Sequence, residues 1–196
     1  MDLGFINLDF VRAFFAIFVA MDALGNLPIL TTLTQKLSSK NRNKSVDRAI
    51  IVAGIILLLF LFLGNKILHY FGVSIESFQV AGGIIILIIG LKVVLGLRLR
   101  EERAKKYEMA VVPLATPLIT GPAVITLIVL LVNQVGYIIT LTASLINLLL
   151  TWIILRQTNL LFKIFGRQGS DTIARIMGLI LAAMAIEFIK QGWISI

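Results

Sequence analysis

The sequence predicts an all-α membrane protein: six transmembrane helices in two inverted three-helix repeats, with the first and fourth helices discontinuous. Three observations carry this. The 196 residues are 59% hydrophobic and only 14% charged, with a mean hydropathy of +1.00, whereas a soluble domain is about 45–50% apolar. Two apolar runs are interrupted by clusters of proline, glycine and polar residues. The two halves of the chain then repeat each other's landmarks, which points to a duplicated unit.

A crossing needs about 20 apolar residues, so spans are expected near Leu3–Leu33, Val46–Leu68, Ile75–Leu97, Met109–Val132, Tyr137–Leu155 and Ile173–Trp193. The first is long because it is broken at Asp22-Ala23-Leu24-Gly25-Asn26-Leu27-Pro28. The fourth is broken at Pro113-Leu114-Ala115-Thr116-Pro117-Leu118-Ile119-Thr120-Gly121-Pro122. An interior proline removes a backbone donor and clashes with the preceding turn, and the residue before it is pushed from helical angles. In lipid each freed amide or carbonyl costs several kcal/mol unless protein, water or a ligand satisfies it. A simple kink would need one proline, not two clusters.

Charge gives the topology. Lys36, Lys40, Arg42, Lys44 and Arg48 follow the first span, Arg98, Arg100, Arg103, Lys105 and Lys106 the third, and Arg156, Lys163 and Arg167 the fifth. The alternate connections hold little beyond Lys66 and Lys190. By the positive-inside rule the three basic loops are cytoplasmic and both termini lie outside. Repeat boundaries are expected at 1–97 and 109–196, joined by a cytoplasmic linker at 98–108. Pro28 and Pro122 are each followed by threonine at the same distance, and Phe71-Gly72 and Phe165-Gly166 open the third and sixth spans. Three spans are an odd number, so the second copy starts on the opposite side and is inverted.

The breaks suggest a ligand. Half-helices beginning at Pro28 and Pro122 leave their next amides facing the break, with about half a positive charge there and half a negative charge at the arriving carbonyl end. Such ends seat a carboxylate and an ammonium without any full protein charge. Gly25 and Gly121 let the backbone approach a ligand closely, while Leu24, Leu27, Leu118 and Ile119 narrow the space to a small one. Asn26, Thr116 and Thr120 are expected either to hydrogen-bond the ligand or to cap the half-helix ends. Asp22, the acid at a break, is a candidate proton carrier or ammonium partner, with a cap or a salt bridge to a basic neighbour as its alternative.

Several chemistries fall away. The chain has no cysteine and one histidine, His69, which excludes disulfides and thiolate sites and leaves little for a zinc site or a Ser/His triad. No Walker A pattern is present. No catalytic residue, metal or cofactor is expected. The net charge of +8 lies in loops rather than in a nucleic-acid-binding face. The remaining alternatives to a transporter are a channel or exporter for other small polar solutes, an intramembrane enzyme using Asp22, and a non-transporting scaffold.

These residues resemble the MarC family of six-span membrane proteins, which includes the SnatA small neutral amino acid transporters. The resemblance covers nearly the whole chain. It rests on Asp22-x-x-Gly25-Asn26-x-Pro28, Phe71-Gly72-x-Ser74 with Ala81-Gly82-Gly83, Pro113-Leu114-Ala115-x-Pro117-x-x-x-Gly121-Pro122, and Arg175-Ile176-Met177-Gly178-Leu179. Ala23 and Ala123 stand where the family often has proline and glycine. The resemblance implies transport of glycine, alanine or similar amino acids, coupled to protons, across the plasma membrane of a prokaryote. It places substrate contacts at Gly25, Asn26, Thr120 and Gly121 and their neighbours Leu27, Pro28, Ile119 and Pro122. Expected partners are therefore a small neutral amino acid, the lipid bilayer and protons; self-association is left open.

Overall fold

The computed structural model describes residues 3–34, 38–97 and 119–195. Thr116, the remainder of the stretch from Pro113 to Leu118, and the linker at 98–108 lie outside the described residues. The described chain is helical: α1 (Leu3–Met21), α2 (Leu27–Thr34), α3 (Ser39–Tyr70), α4 (Ile75–Val94), α5 (Pro122–Val135), α6 (Tyr137–Arg156) and α7 (Thr158–Ser195). Among the described residues, α3, α4, α6 and α7 are long and apolar enough to cross a bilayer, and α5 is an apolar helix of 14 residues.

The expected span limits are corrected at two places. Helix α3 begins at Ser39 rather than near Val46, because Ser38 supplies an N-cap, its Oγ accepting from Asn41 N at 3.3 Å. The basic stretch after the fifth span, expected to be a loop, is helical from Thr158. No proline interrupts it, and Leu160-Leu161-Phe162 are apolar. The chain turns instead at Gly166, whose φ of 62° leaves the helical region at a position where glycine carries no Cβ penalty.

Among the described helices the most extensive interface joins α4 and α7. Without a solvent-driven force between helices in lipid, close contact depends on small residues that let backbones meet. A Cβ at Gly90 would stand 2.8 Å from Gly178 O and 2.9 Å from Ala182 N, and one at Gly83 would stand 2.7 Å from Ile189 Cγ1 and 3.0 Å from Ala185 O. Position rises on α4 as it falls on α7, so the two helices run antiparallel. Helix α3 is tied to its neighbours near both ends. Asn65 and Asn133 of α5 exchange amide hydrogen bonds of 3.1 and 2.8 Å. Trp152 Nε1 of α6 donates to Asp47 Oδ1 at 2.7 Å, and Arg156 lies over the Trp152 ring and 3.8 Å from Asp47.

Helix α5 meets α4 where Gly82 faces the Thr126 methyl, which occupies the space a Cβ at Gly82 would take. Gly82→Ala is therefore expected to destabilise the protein by about 1–3 kcal/mol, and Thr126→Ser, which deletes that methyl, to restore most of the loss. A double-mutant cycle read by thermal unfolding tests this. Additive losses would show that the two residues do not share the space.

Candidate functional site

Between α1 and α2 the chain makes a compact turn. Helix α1 ends at Met21 and α2 starts at Leu27. Asp22 adopts φ 40°, a left-handed conformation that aspartate and asparagine tolerate better than most residues. Its Oδ1 accepts from Gly25 N at 3.1 Å, and its carbonyl accepts from Asn26 N at 3.1 Å. Asn26 Nδ2 donates to Met21 O at 3.2 Å, covering one of the carbonyls that the end of α1 leaves open. Leu27 N donates to Leu24 O at 3.2 Å. The amides of Gly25, Asn26 and Leu27 are thus each bonded within the turn. Asp22 and Asn26 both serve as caps in this conformation.

The start of α5 is built differently. Helix α5 starts at Pro122, which fills the first helical position without needing a donor. Gly121 is its N-cap in extended backbone, φ −85° and ψ −179°, and no side chain caps the helix. Thr120 is fully buried and its Oγ1 donates to Ala53 O on α3 at 3.1 Å, so its hydroxyl proton is engaged with a neighbouring helix. Ile119 is buried beside it.

The turn after α1 meets the residues ahead of α5. One cavity is lined by Met21, Ala23, Asn26 and Leu30 from the first break and α2, by Ile119 ahead of α5, and by Thr151 and Leu155 of α6. Its free space is about 10 Å3, on the order of one water molecule. Of the predicted site residues, Asn26 and Ile119 line it. Leu27 and Thr120 are buried next to those positions, Pro28 sits second in α2, within its first turn, and Gly25 packs against Ala174 of α7.

The sequence reasoning missed α6. Thr140, Ser144, Asn147 and Thr151 are each no more than 2% exposed and recur at spacings of four, three and four, which puts them on one helical face. Thr151 Oγ1 approaches Met21 Sδ at 3.6 Å. Asn147 Nδ2 donates to Phe14 O of α1 at 3.0 Å and to Ala143 O at 2.9 Å. The opposite face carries exposed Leu145 and Leu149. That periodicity was the available signal.

The comparisons with known proteins agree with one another. The family model described as "MarC family integral membrane protein" matches residues 8–196. A UPF0056 membrane protein of Archaeoglobus fulgidus is 37% identical over 203 residues, covering 98% of this chain and 95% of the relative. A UPF0056 membrane protein of Methanocaldococcus jannaschii is 35% identical over 194 residues, covering 93% and 95%. The UPF0056 inner membrane protein YhgN of Escherichia coli K12 is 32% identical over 200 residues, covering 94% and 95%. No solved structure matches the chain. With the family motifs spread over nearly its whole length and apolar helices throughout, the chain belongs to the MarC (UPF0056) family of integral membrane proteins.

Proposed function

We propose that this protein is a secondary transporter of small neutral amino acids such as glycine and alanine, working by alternating access around the two helix breaks. It is not an enzyme. Protons are the coupling ion, with Asp22 the residue that carries them, and the chain sits in a prokaryotic cell membrane with both termini outside. The observation that carries this reading is the cavity shared by Asn26 and Ile119, where the turn after α1 meets the start of α5. Uncapped amides at the start of α5 suit a carboxylate. The cavity's size supports a closed state that must open to admit an amino acid, as alternating access requires, rather than a standing pore.

The inverted repeat belongs to the same proposal, with halves at 1–97 and 109–196, and contact geometry supports it. Gly72 and Gly166 both follow phenylalanine and both have positive φ, 67° and 62°, at the separation that relates Pro28 to Pro122. One constant shift carries Gly83 to Gly178 and Gly90 to Ala185. Exchanging the copies then converts the Gly83–Ala185 contact into the Gly90–Gly178 contact, as a two-fold relation demands.

Counterflow of labelled glycine in proteoliposomes tests the function: saturable exchange is expected, and conductance without saturation would replace it with a channel. Asn26→Ala is expected to weaken glycine binding about tenfold, one hydrogen bond to a charged group. Unchanged affinity would remove Asn26 from the site.

A further inference from the structure

We propose that the seam between α1 and α6 is the aqueous route into the central cavity, and that Ser144 and Asn147 form a subsite on it for the amino group of the substrate. The inference rests on the transporter reading and names residues that reading leaves unassigned. Two side-chain atoms carry it. Ser144 Oγ and Asn147 Oδ1 are buried without a hydrogen-bond partner among the described residues, on side chains that are 0% exposed. An unsatisfied buried polar atom costs about 1–3 kcal/mol, and a membrane helix that keeps two of them one turn apart is supplied with a partner in another state.

The chemistry selects that partner. Asn147 Nδ2 is committed to Phe14 O and Ala143 O, so the free end of the amide is its oxygen, held in place as an acceptor. Ser144 adds a second oxygen one turn away. Two neutral acceptors suit a donor group, the ammonium of an amino acid, and offer nothing to a carboxylate beyond one hydroxyl proton. The place fits as well. Phe14 lies against Asn147 and Met21 against Thr151, so α1 and α6 run parallel along this seam. Asn147 is one turn, about 6 Å, from Thr151, and Thr151 lines the cavity with Asn26 and Ile119. The stripe therefore leads from the cavity toward the ends at which α1 and α6 begin.

The chain has no cysteine, so single cysteines test the route without altering the background. In proteoliposomes S144C is expected to react with a membrane-impermeant thiol reagent, and saturating glycine to slow the reaction at least severalfold. L145C, on the exposed face, is expected to show no effect of glycine. Ser144→Ala removes an atom with no partner in this conformation, so its unfolding midpoint is expected to stay level or rise while glycine affinity falls about tenfold. No labelling of S144C from either side of the membrane, or unchanged affinity in Ser144→Ala, overturns the subsite and makes the stripe a structural one. Labelling of S144C in a protein whose unmodified form exchanges no glycine overturns the amino acid assignment and leaves the polar route standing.

Discussion

Gly90→Leu is expected to destabilise the protein by about 3 kcal/mol or more, the upper range for forcing extra methylenes into a packed contact. The groups in the way are Gly178 O and Ala182 N and Cα. They are main-chain atoms, so no rotamer change makes room, and α4 and α7 must separate along the largest interface among the described helices. Gly178→Leu, which would meet Val93 Cβ at 2.9 Å and Gly90 O at 3.0 Å, is expected to cost a similar amount. Ile88→Val, at a position 47% exposed on α4, is expected to stay within about 0.5 kcal/mol of the parent. Thermal unfolding of the purified protein in detergent reads all three. An unchanged midpoint for Gly90→Leu would disprove the close approach of the two helices.

That interface shows how the sequence speaks about a membrane fold. Gly82, Gly83, Gly90, Gly178, Ala182 and Ala185 are visible as small residues in apolar runs, and small residues in lipid have few uses other than packing. The turn between α1 and α2 was equally legible, since glycine, asparagine and proline inside an apolar run favour a turn over helix. What the break does with its polar groups was not legible. Asp22 and Asn26 were open between capping and ligand binding, and only the chain's path through φ 40° at Asp22 brings Oδ1 onto Gly25 N and Asn26 Nδ2 onto Met21 O. Thr120 was equally open, because its partner, Ala53 O, is remote in sequence. The α6 stripe was missed for a different reason: four polar residues spaced among leucines leave the helix apolar enough to read as an ordinary span, and only their common face gives them meaning. The basic stretch from Thr158 misled because charge reports which side of the membrane a segment lies on, not whether it is helical.

Gly25→Ala is expected to abolish glycine counterflow and to lower stability by about 1–3 kcal/mol. The turn after α1 closes around the missing side chain. A Cβ at Gly25 would meet the Asp22 carboxylate and would stand 2.6 Å from Ala174 Cβ of α7. Two parts of the site are displaced together: Asp22, whose Oδ1 holds Gly25 N, and α7, which closes the turn from outside. Adding Ala174→Gly separates them. Recovery of exchange assigns the effect to pressure on α7, and failure to recover assigns it to the displaced carboxylate. Asp22→Asn supplies the complementary measurement, because its amide oxygen accepts the same N–H and asparagine tolerates left-handed backbone. The fold is then expected to survive while proton-driven uptake is lost and glycine exchange is kept. Intact proton-driven uptake in Asp22→Asn would leave Asp22 as a cap alone, and native-rate exchange in Gly25→Ala would show that the turn opens without help from the contact between Gly25 and α7.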